Sequence, residues 1–288
     1  MATLATNRLQ AGDRDVVLLH GILGSRRNWH SFAARLAAAR PDLGVVTVDI
    51  RNHGDSQGFS PPHGLDACVA DLVASEGQAF STWAIVGHSF GGKVALRLAQ
   101  SPARRVMRQL VWLAALDCTP GPAADANGST APASAEVTGV IAALRQVPRP
   151  VVSREAMVST LSAAGLSPAI GQWMTTNLRP VEGGFDWRFD LDAAVAMLAD
   201  YSAIDVWPTL EAPPPELTVR FLRAGRAARW SAADVQRLET IDARARATGV
   251  GARVDTLDAG HWLHAEAPDA LLAWLLSALP AVDSRQGA

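Results

Sequence analysis

The stretch that most constrains this chain is AIVGHSFGGKVAL, residues 84–96, where an apolar run leads through Gly-His-Ser-Phe-Gly into a helical pattern. This is the G-x-S-x-G arrangement, a sharp turn that holds a serine hydroxyl between a strand and a helix. Glycines two residues before and after Ser89 keep the flanking backbones from clashing, and the helix that follows points its positive end at the hydroxyl. The stretch predicts a nucleophile at Ser89, with a purely structural tight turn as the alternative.

Short apolar runs alternate with helical patterns along most of the chain. The runs are typical of strands buried on both faces of a sheet, and they lie at 15–20, 45–49, 83–87, 110–116, 217–222 and 253–258. Helices are predicted near 28–39, 66–79, 90–100, 233–247 and 267–278. This alternation predicts an α/β fold with a mostly parallel central sheet flanked by helices.

The alternation stops between about residues 119 and 216. A segment rich in Ala, Pro, Gly and Ser opens this region and predicts a loop. Helical patterns follow near 137–146, 154–163, 168–177 and 191–199, and the prolines of EAPPPE at 211–216 stop helix formation. We therefore expect a core domain of residues 1–118 and 212–288, with a helical cap of residues 119–211 over the functional edge of the sheet.

Composition excludes several classes of partner. The net charge of −2 gives no electrostatic reason to expect binding to nucleic acid or to an anionic membrane. The two cysteines, Cys68 and Cys118, are too few for a disulfide framework and favour a reducing compartment. The N-terminal residues lack the apolar core of a signal peptide, and no apolar run is long enough to span a membrane. These features predict a cytoplasmic protein, while the oligomeric state stays open.

A serine nucleophile requires a base and preformed donors for an oxyanion. The stretch DAGHWLHAEAPD follows the last predicted strand and offers His261 as the base, with His264 as the competitor. The stretch LLHGILGSRRNW leaves an early strand through an open loop, so that the N–H groups of Ile22 and Phe90 are the candidate oxyanion donors. The alternative for the loop is an ordinary glycine turn into a helix.

Four stretches taken together, HGILGS, DIRNHGDS, VGHSFGGKVAL and AGHWLHAEAPD, resemble the α/β-hydrolase superfamily over nearly the whole chain. Within the superfamily the chain looks most like the small bacterial YbfF-like esterases. The resemblance implies hydrolysis of carboxylic esters with short to medium acyl chains, a small-molecule ester as partner, and no metal or organic cofactor. We expect DIRNHGDS, residues 49–56, to order the loop after a strand rather than to carry chemistry.

The acidic partner of the histidine is where the chain departs from the superfamily pattern. Many members place an aspartate in G-x-x-D after the strand that follows the cap, whereas Ala228 stands three residues after Gly225 here. Asp234 comes later, at a predicted helix start, where a helix cap is its alternative role. Asp117 ends the strand after the nucleophile helix in a D-x-x-P pattern that resembles the YbfF-like branch. We expect Ser89, His261 and Asp117 to act together, with Asp234 as the alternative acid.

The cap is expected to line an apolar substrate pocket, and Trp173, Trp187 and Trp207 are the candidate substrate-binding residues. The alternative is that the cap aromatics, Phe185, Phe189 and Tyr201 among them, form the core of the cap itself. The arginines at 220, 223, 226 and 229 recur every three residues, but we expect them to be solvated or paired with acids because they need not share a face.

Three rival functions use the same residues. A carbon–carbon bond hydrolase needs the same serine, histidine and aspartate, as does a hydrolase of thioesters or lactones. A non-catalytic ligand-binding protein could keep the fold without turnover. A serine nucleophile argues against dehalogenases and epoxide hydrolases, which use an aspartate.

Overall fold

The structure is a computed structural model that describes residues 2–122 and 132–281. The first half contains β1 (Thr6–Gln10), β2 (Asp15–Leu19), α1 (His30–Ala39), β3 (Gly44–Val48), α2 (Leu65–Ser75), β4 (Thr82–His88), α3 (Phe90–Gln100) and β5 (Trp112–Leu116). The segment between β5 and the next strand of the main sheet contains α4 (Pro132–Gln146), α5 (Arg154–Ala163), α6 (Pro168–Thr175), β6 (Leu178–Val181), β7 (Gly184–Trp187), α7 (Leu191–Ala203) and α8 (Trp207–Glu211). The chain then forms β8 (Thr218–Ala224), α9 (Ala232–Thr248), β9 (Arg253–Leu257), α10 (Leu263–Glu266) and α11 (Pro268–Ala278).

In the described residues the main sheet has seven strands in the order β1-β3-β2-β4-β5-β8-β9. β1 runs antiparallel to β3, and the other neighbouring strands are parallel. Gly87, near the end of β4, lies opposite Leu19 of β2 and Ala115 of β5. The carboxyl ends of these strands therefore meet at one edge, and the predicted α/β fold with a mostly parallel sheet is confirmed.

Helices cover both faces of this sheet, which explains why its inner strands are apolar without interruption. Successive residues of a strand point to opposite faces. Val17 and Leu19 of β2 belong to the cluster that contains α2 and α3, whereas Val16 and Leu18 belong to the cluster that contains α1 and α11. All five residues of β2 are buried. The two-sided core fixes the strand ends next to Ser89 and Asp117.

Two short pieces of β structure were not predicted from the sequence. β1 is a polar edge strand with the sequence TNRLQ, none of whose residues is fully buried. β6 and β7 pair as an antiparallel hairpin around Gly183 and Gly184, whose φ angles are 80° and 149°. The hairpin adds β structure to a segment that was expected to be mostly helical. Strands of four residues carry too few alternating positions to be recognised in a sequence.

The inserted segment, residues 119–211, has an apolar cluster of its own. Met157, Leu161 and Met174 are fully buried in it, and Leu23 from the loop after β2 joins the same cluster. The Asp190 N–H donates to the carbonyl of Asn52 at 2.9 Å. These contacts seat the segment over the carboxyl edge of the main sheet. The predicted loop at the start of the segment falls partly outside the described residues.

Within the described ranges, no helix combines the length and the apolar character needed to cross a membrane.

Candidate active site

Ser89 lies in a tight turn between β4 and α3. Its φ and ψ angles are 52° and −116°, a conformation that non-glycine residues rarely adopt. A Cβ atom added to Gly87 would lie 2.2 Å from the carbonyl oxygen of Gly91, and one added to Gly91 would lie 2.6 Å from the carbonyl oxygen of His20. The turn can therefore form only with glycine at both positions. The Ser89 N–H donates to the Leu116 carbonyl at 2.8 Å, which holds the turn against β5.

Asp117 and His261 meet beside this turn. Asp117 follows β5 with a φ of 45°, and its side chain is completely buried. Its Oδ2 atom lies 2.7 Å from Nδ1 of His261, and its Oδ1 atom accepts hydrogen bonds from the Ala224 N–H at 3.0 Å and the Trp230 indole at 2.9 Å. An Nδ1–H that donates to Asp117 leaves the lone pair of the neutral imidazole on Nε2.

His88 lies between Gly87 and Ser89 and links the turn to the loop that carries His261. Its Nε2 donates to the carbonyl of His261 at 2.8 Å, and the two rings lie 4.6 Å apart. Sequence reasoning missed this residue because it occupies a variable position of the G-x-S-x-G pattern. His88 fixes the backbone of the histidine loop relative to Ser89.

The two alternative residues occupy other positions. Asp234 is exposed in the first turn of α9, where its carboxylate accepts from the Ser231 hydroxyl at 2.6 Å and closes a capping box. His264 lies in α10 with its ring 4.8 Å from Trp29, and its Nδ1 atom is buried without a hydrogen-bond partner among the described residues. Neither residue takes part in the contact between Asp117 and His261.

Burial controls the protonation of the histidines around the site. It lowers the pKa of His261 well below the ordinary value, and the positive charge of Arg229 acts in the same direction. Burial also lowers the pKa of His264 to about 4. The pKa of Asp117 is raised by burial, against the effect of Arg229. A neutral imidazole is the form that can accept a proton at neutral pH.

The loop after β2 runs beside the serine. Ile22 and Phe90 both line the cavity in front of Ser89, and neither backbone N–H has an acceptor within the described residues. A Cβ atom added to Gly21 would lie 3.4 Å from Cβ of Ser89. Two free N–H groups that line the same cavity as a serine can hold a developing oxyanion.

His53 supports this loop from behind and was missed as a functional residue. Its Nε2 accepts the Leu23 N–H at 3.1 Å, and its Nδ1 donates to the carbonyl of Arg51 at 3.0 Å. Leu23 has a φ of 60°, so the loop conformation needs such a partner. The signal was present in DIRNHGDS, where Asp49 also binds the loop by accepting the Arg26 N–H at 2.6 Å.

A cavity of about 360 Å³ opens in front of Ser89 and His261. The inserted segment supplies apolar walls through α4, α6 and α7, with Ile141, Ile170, Trp173, Val195, Leu198 and Ala199. The Trp173 ring lies 5.5 Å from that of Trp262, which follows His261 in the chain. The cavity is thus bounded by the sheet edge on one side and by the inserted segment on the other.

Two of the three tryptophans predicted to bind substrate do not line this cavity. Trp187 ends β7 and stacks on Phe189 at 5.2 Å in the cluster of the inserted segment. Trp207 opens α8 and packs against the main core with Arg237 over its ring at 4.3 Å. Trp173 does line the cavity, as does Tyr201. The prediction for Trp187 and Trp207 is corrected because both rings face the interior of their own layer.

Within residues 2–122 and 132–281, no group of three or more His, Cys, Asp or Glu side chains is arranged to hold a metal ion. Cys68 and Cys118 are both free and buried.

Comparison with known proteins adds relatives and solved structures. The family model described as "Alpha/beta hydrolase family" matches residues 16–274. The sn-1-specific diacylglycerol lipase ABHD11 of Mus musculus is 31% identical over 88% of this chain and 76% of its own length. Lipase LipV of Mycobacterium tuberculosis is 28% identical over 93% of this chain and 94% of its own. A solved structure described as a marine microorganism esterase superposes with a TM-score of 0.77 at 24% identity, covering 97% of this chain and all of that one, which shows a shared fold.

Proposed function

The chain belongs to the alpha/beta hydrolase family, and we propose that it hydrolyses carboxylic esters through an acyl-enzyme formed on Ser89. The observation that carries the proposal is the arrangement at the edge of the sheet. A serine on a tight turn shares one cavity with a histidine whose Nδ1 lies 2.7 Å from a buried aspartate. The names of two relatives, a diacylglycerol lipase and the lipase LipV, support ester hydrolysis as the reaction.

The reaction follows from these positions. The Ser89 hydroxyl attacks the ester carbonyl while Nε2 of His261 takes its proton, and Asp117 stabilises the imidazolium that forms. The N–H groups of Ile22 and Phe90 bind the oxyanion. Collapse of the tetrahedral intermediate breaks the bond to the alkoxy oxygen, which receives the proton from His261. Water then attacks the acyl-enzyme with His261 as base, which releases the acid and restores the serine.

The cavity favours an uncharged, apolar acyl group. Its walls in α4, α6 and α7 are aliphatic or aromatic, and its volume of about 360 Å³ lies in the range of small-molecule sites. The one cationic side chain among the described residues that line it, Arg229, is already paired with Asp117 at 3.6 Å. We therefore propose esters of short to medium acyl chains as the substrate class.

We also propose that residues 119–211 form a cap on a core of residues 1–118 and 212–288. The separate apolar cluster of the inserted segment supports this division, because Met157, Leu161 and Met174 belong to it and not to the two clusters that cover the sheet. The cap would select the acyl group, and the core would perform the chemistry.

The test is hydrolysis of p-nitrophenyl esters from acetate to laurate by the wild type and by Ser89→Ala. Ser162→Ala, at an exposed position of α5, is the matched control. We expect Ser89→Ala to lose at least about 1,000-fold in kcat while Ser162→Ala keeps full turnover. Full turnover in Ser89→Ala would contradict the proposal. A folded wild type without any turnover would instead favour a carbon–carbon bond hydrolase, to be tested with a vinylogous diketone, or a ligand-binding protein.

A further inference from the structure

Two parts of the chain contact the carboxylate of Asp117: the end of β8 and the loop between β8 and α9, residues 225–231. The Ala224 N–H and the Trp230 indole donate to Oδ1. Arg229 approaches the other oxygen, with its Nε atom 3.6 Å from Oδ2, and its Nη1 donates to the backbone carbonyl of Asp117 at 3.4 Å. The loop therefore supplies donors and a charge to a residue that lies more than 100 positions earlier in the chain.

Arg229 differs from two arginines close to it in the sequence. Arg226 is more than half exposed and pairs with Asp258 at 3.0 Å. Arg220 pairs with Asp255 at 2.6 Å on the strand next to it. The side chain of Arg229 is only 9% exposed and lies in the cavity wall with Ser89 and His261. Its charge is thus directed at the residues that we assign to the reaction.

Charged and titratable groups reach His261 from several elements. Asp117 follows β5, His88 ends β4, and His264 belongs to α10. Further out lie Glu266 of α10, which binds the Gly260 N–H at 2.8 Å, and Lys93 of α3, which is turned towards the carbonyls of Gly121 and Tyr201. Arg229 is the cation that shares the Asp117 carboxylate with His261.

We propose that Arg229 is a positioning residue that keeps Asp117 ionised and His261 neutral, and thereby sets the acidic limb of the pH dependence of turnover. This inference rests on the proposed function. A cation beside Oδ2 favours the carboxylate over the carboxylic acid, and it disfavours a second positive charge on the imidazole. Arg229 follows burial as a cause of the lowered pKa of His261, and it opposes the effect of burial on the pKa of Asp117.

Removal of the Arg229 charge should move the acidic limb in a defined direction. Without Arg229 the protonated imidazole is less disfavoured, so the pKa of His261 rises and the base is lost at a higher pH. Without Arg229, Asp117 is also protonated at a higher pH. A protonated Asp117 no longer orients the neutral imidazole of His261, so this effect moves the acidic limb in the same direction. A residue with a purely structural role would lower turnover equally at every pH.

The experiment compares kcat/KM of p-nitrophenyl butyrate hydrolysis between pH 4 and 10 for the wild type, Arg229→Gln, Arg229→Lys and the control Arg226→Gln. We expect the acidic limb of Arg229→Gln to move up by about one pH unit, with KM changed less than about threefold. Arg229→Lys keeps the charge, and Arg226→Gln removes an exposed charge that pairs with Asp258 and Glu266 instead of Asp117, so both should keep the wild-type limb. An unmoved limb in Arg229→Gln, or a uniform loss at every pH, would overturn the proposal.

An NMR titration of the His261 ring tests the same idea without turnover and separates the two proposals. A raised pKa of His261 in Arg229→Gln supports the role of Arg229 even if the wild type hydrolyses no ester, a result that would count against the proposed function alone. An unchanged pKa in Arg229→Gln overturns the role of Arg229 whatever the activity. Should Arg229→Gln fail to fold, Arg229→Lys carries the test, since a moved limb in a folded variant with its charge retained contradicts the proposal.

Discussion

The closest backbone approach in the nucleophile turn gives a sharp prediction for Gly87→Ala. A Cβ atom at position 87 would lie 2.2 Å from the carbonyl oxygen of Gly91, 2.4 Å from its carbonyl carbon and 2.6 Å from the N atom of Gly92. These are backbone atoms in the first turn of α3, so no side-chain rotation can relieve the contact. The start of α3 and the end of β4 must move apart.

The size of the movement sets the size of the effect. Real Cβ contacts essentially never fall below 3.0 Å, so the gap from 2.2 Å requires a displacement of at least 0.8 Å. Overpacking of a buried site typically lowers the free energy of unfolding by about 1–3 kcal/mol. A shift of about 1 Å in a reacting group lowers the rate by roughly 100-fold. We expect both effects in Gly87→Ala.

Two other glycines of the chain provide a graded control. A Cβ atom at Gly92 would lie 2.9 Å from the carbonyl oxygen of Gly87, so Gly92→Ala needs a much smaller movement. Gly139 is exposed in α4 with nothing within 4 Å of such an atom. Gly139→Ala should keep full activity and gain roughly 0.5–1 kcal/mol in helix stability.

Thermal unfolding and kcat/KM on p-nitrophenyl butyrate are measured on the three variants. The losses of stability and activity should be largest in Gly87→Ala, smaller in Gly92→Ala and absent in Gly139→Ala. Circular dichroism identifies folded protein, so that a loss of kcat can be read at equal folded fraction. Wild-type kcat and wild-type thermal stability in Gly87→Ala would refute the argument that the turn requires glycine for lack of space.

Three further predictions concern the surroundings of the site. His53→Ala leaves the Leu23 N–H without its acceptor, so the free energy of unfolding should fall by about 1–3 kcal/mol and kcat should fall more than KM changes; unchanged kcat in the steady state would contradict this. Ala199→Phe adds a ring to the α7 wall of the cavity, and kcat/KM should fall at least about tenfold for laurate but little for acetate; an unshifted chain-length profile would count against the cap as selector. Burial lowers the pKa of Lys93 from 10.5 to about 8, so the folded state binds fewer protons than the unfolded state above pH 8. The free energy of unfolding of the wild type should therefore rise relative to Lys93→Met by roughly 2 kcal/mol between pH 7.5 and 9.5 in urea titrations, and a constant difference would disprove the argument.

The inner strands and the serine turn could be predicted because strands buried on both faces are uninterrupted apolar runs in the sequence. β4 is apolar along its length and ends in the glycine-bounded turn that Ser89 requires. Asp117 comes directly after β5 and His261 lies in the loop after β9. Both strands end at the same edge of the sheet, so the contact follows from the topology of parallel strands. The same rule explains why Asp234, placed by a capping box on a helix, was only an alternative.

Contacts that depend on the orientation of a side chain could not be predicted. Trp187 and Trp207 are as aromatic as Trp173, but a short hairpin and a short helix turn the first two away from the cavity. His53 acts on Leu23 through a hydrogen bond across 30 positions. Arg229 was expected to be solvated or paired with an acid, and its pairing with Asp117 depends on the three-dimensional path of the loop between β8 and α9.

The central claim is that Ser89 is the nucleophile, and covalent labelling tests it most directly. A p-nitrophenyl alkylphosphonate transfers its phosphonyl group to an activated serine and cannot be released by the water that hydrolyses an acyl-enzyme. We predict one adduct per chain in the intact mass of the wild type, located on the peptide that contains Ser89, and none in Ser89→Ala. An adduct on another residue, or ester hydrolysis by a wild type that the probe leaves unlabelled, would contradict the account.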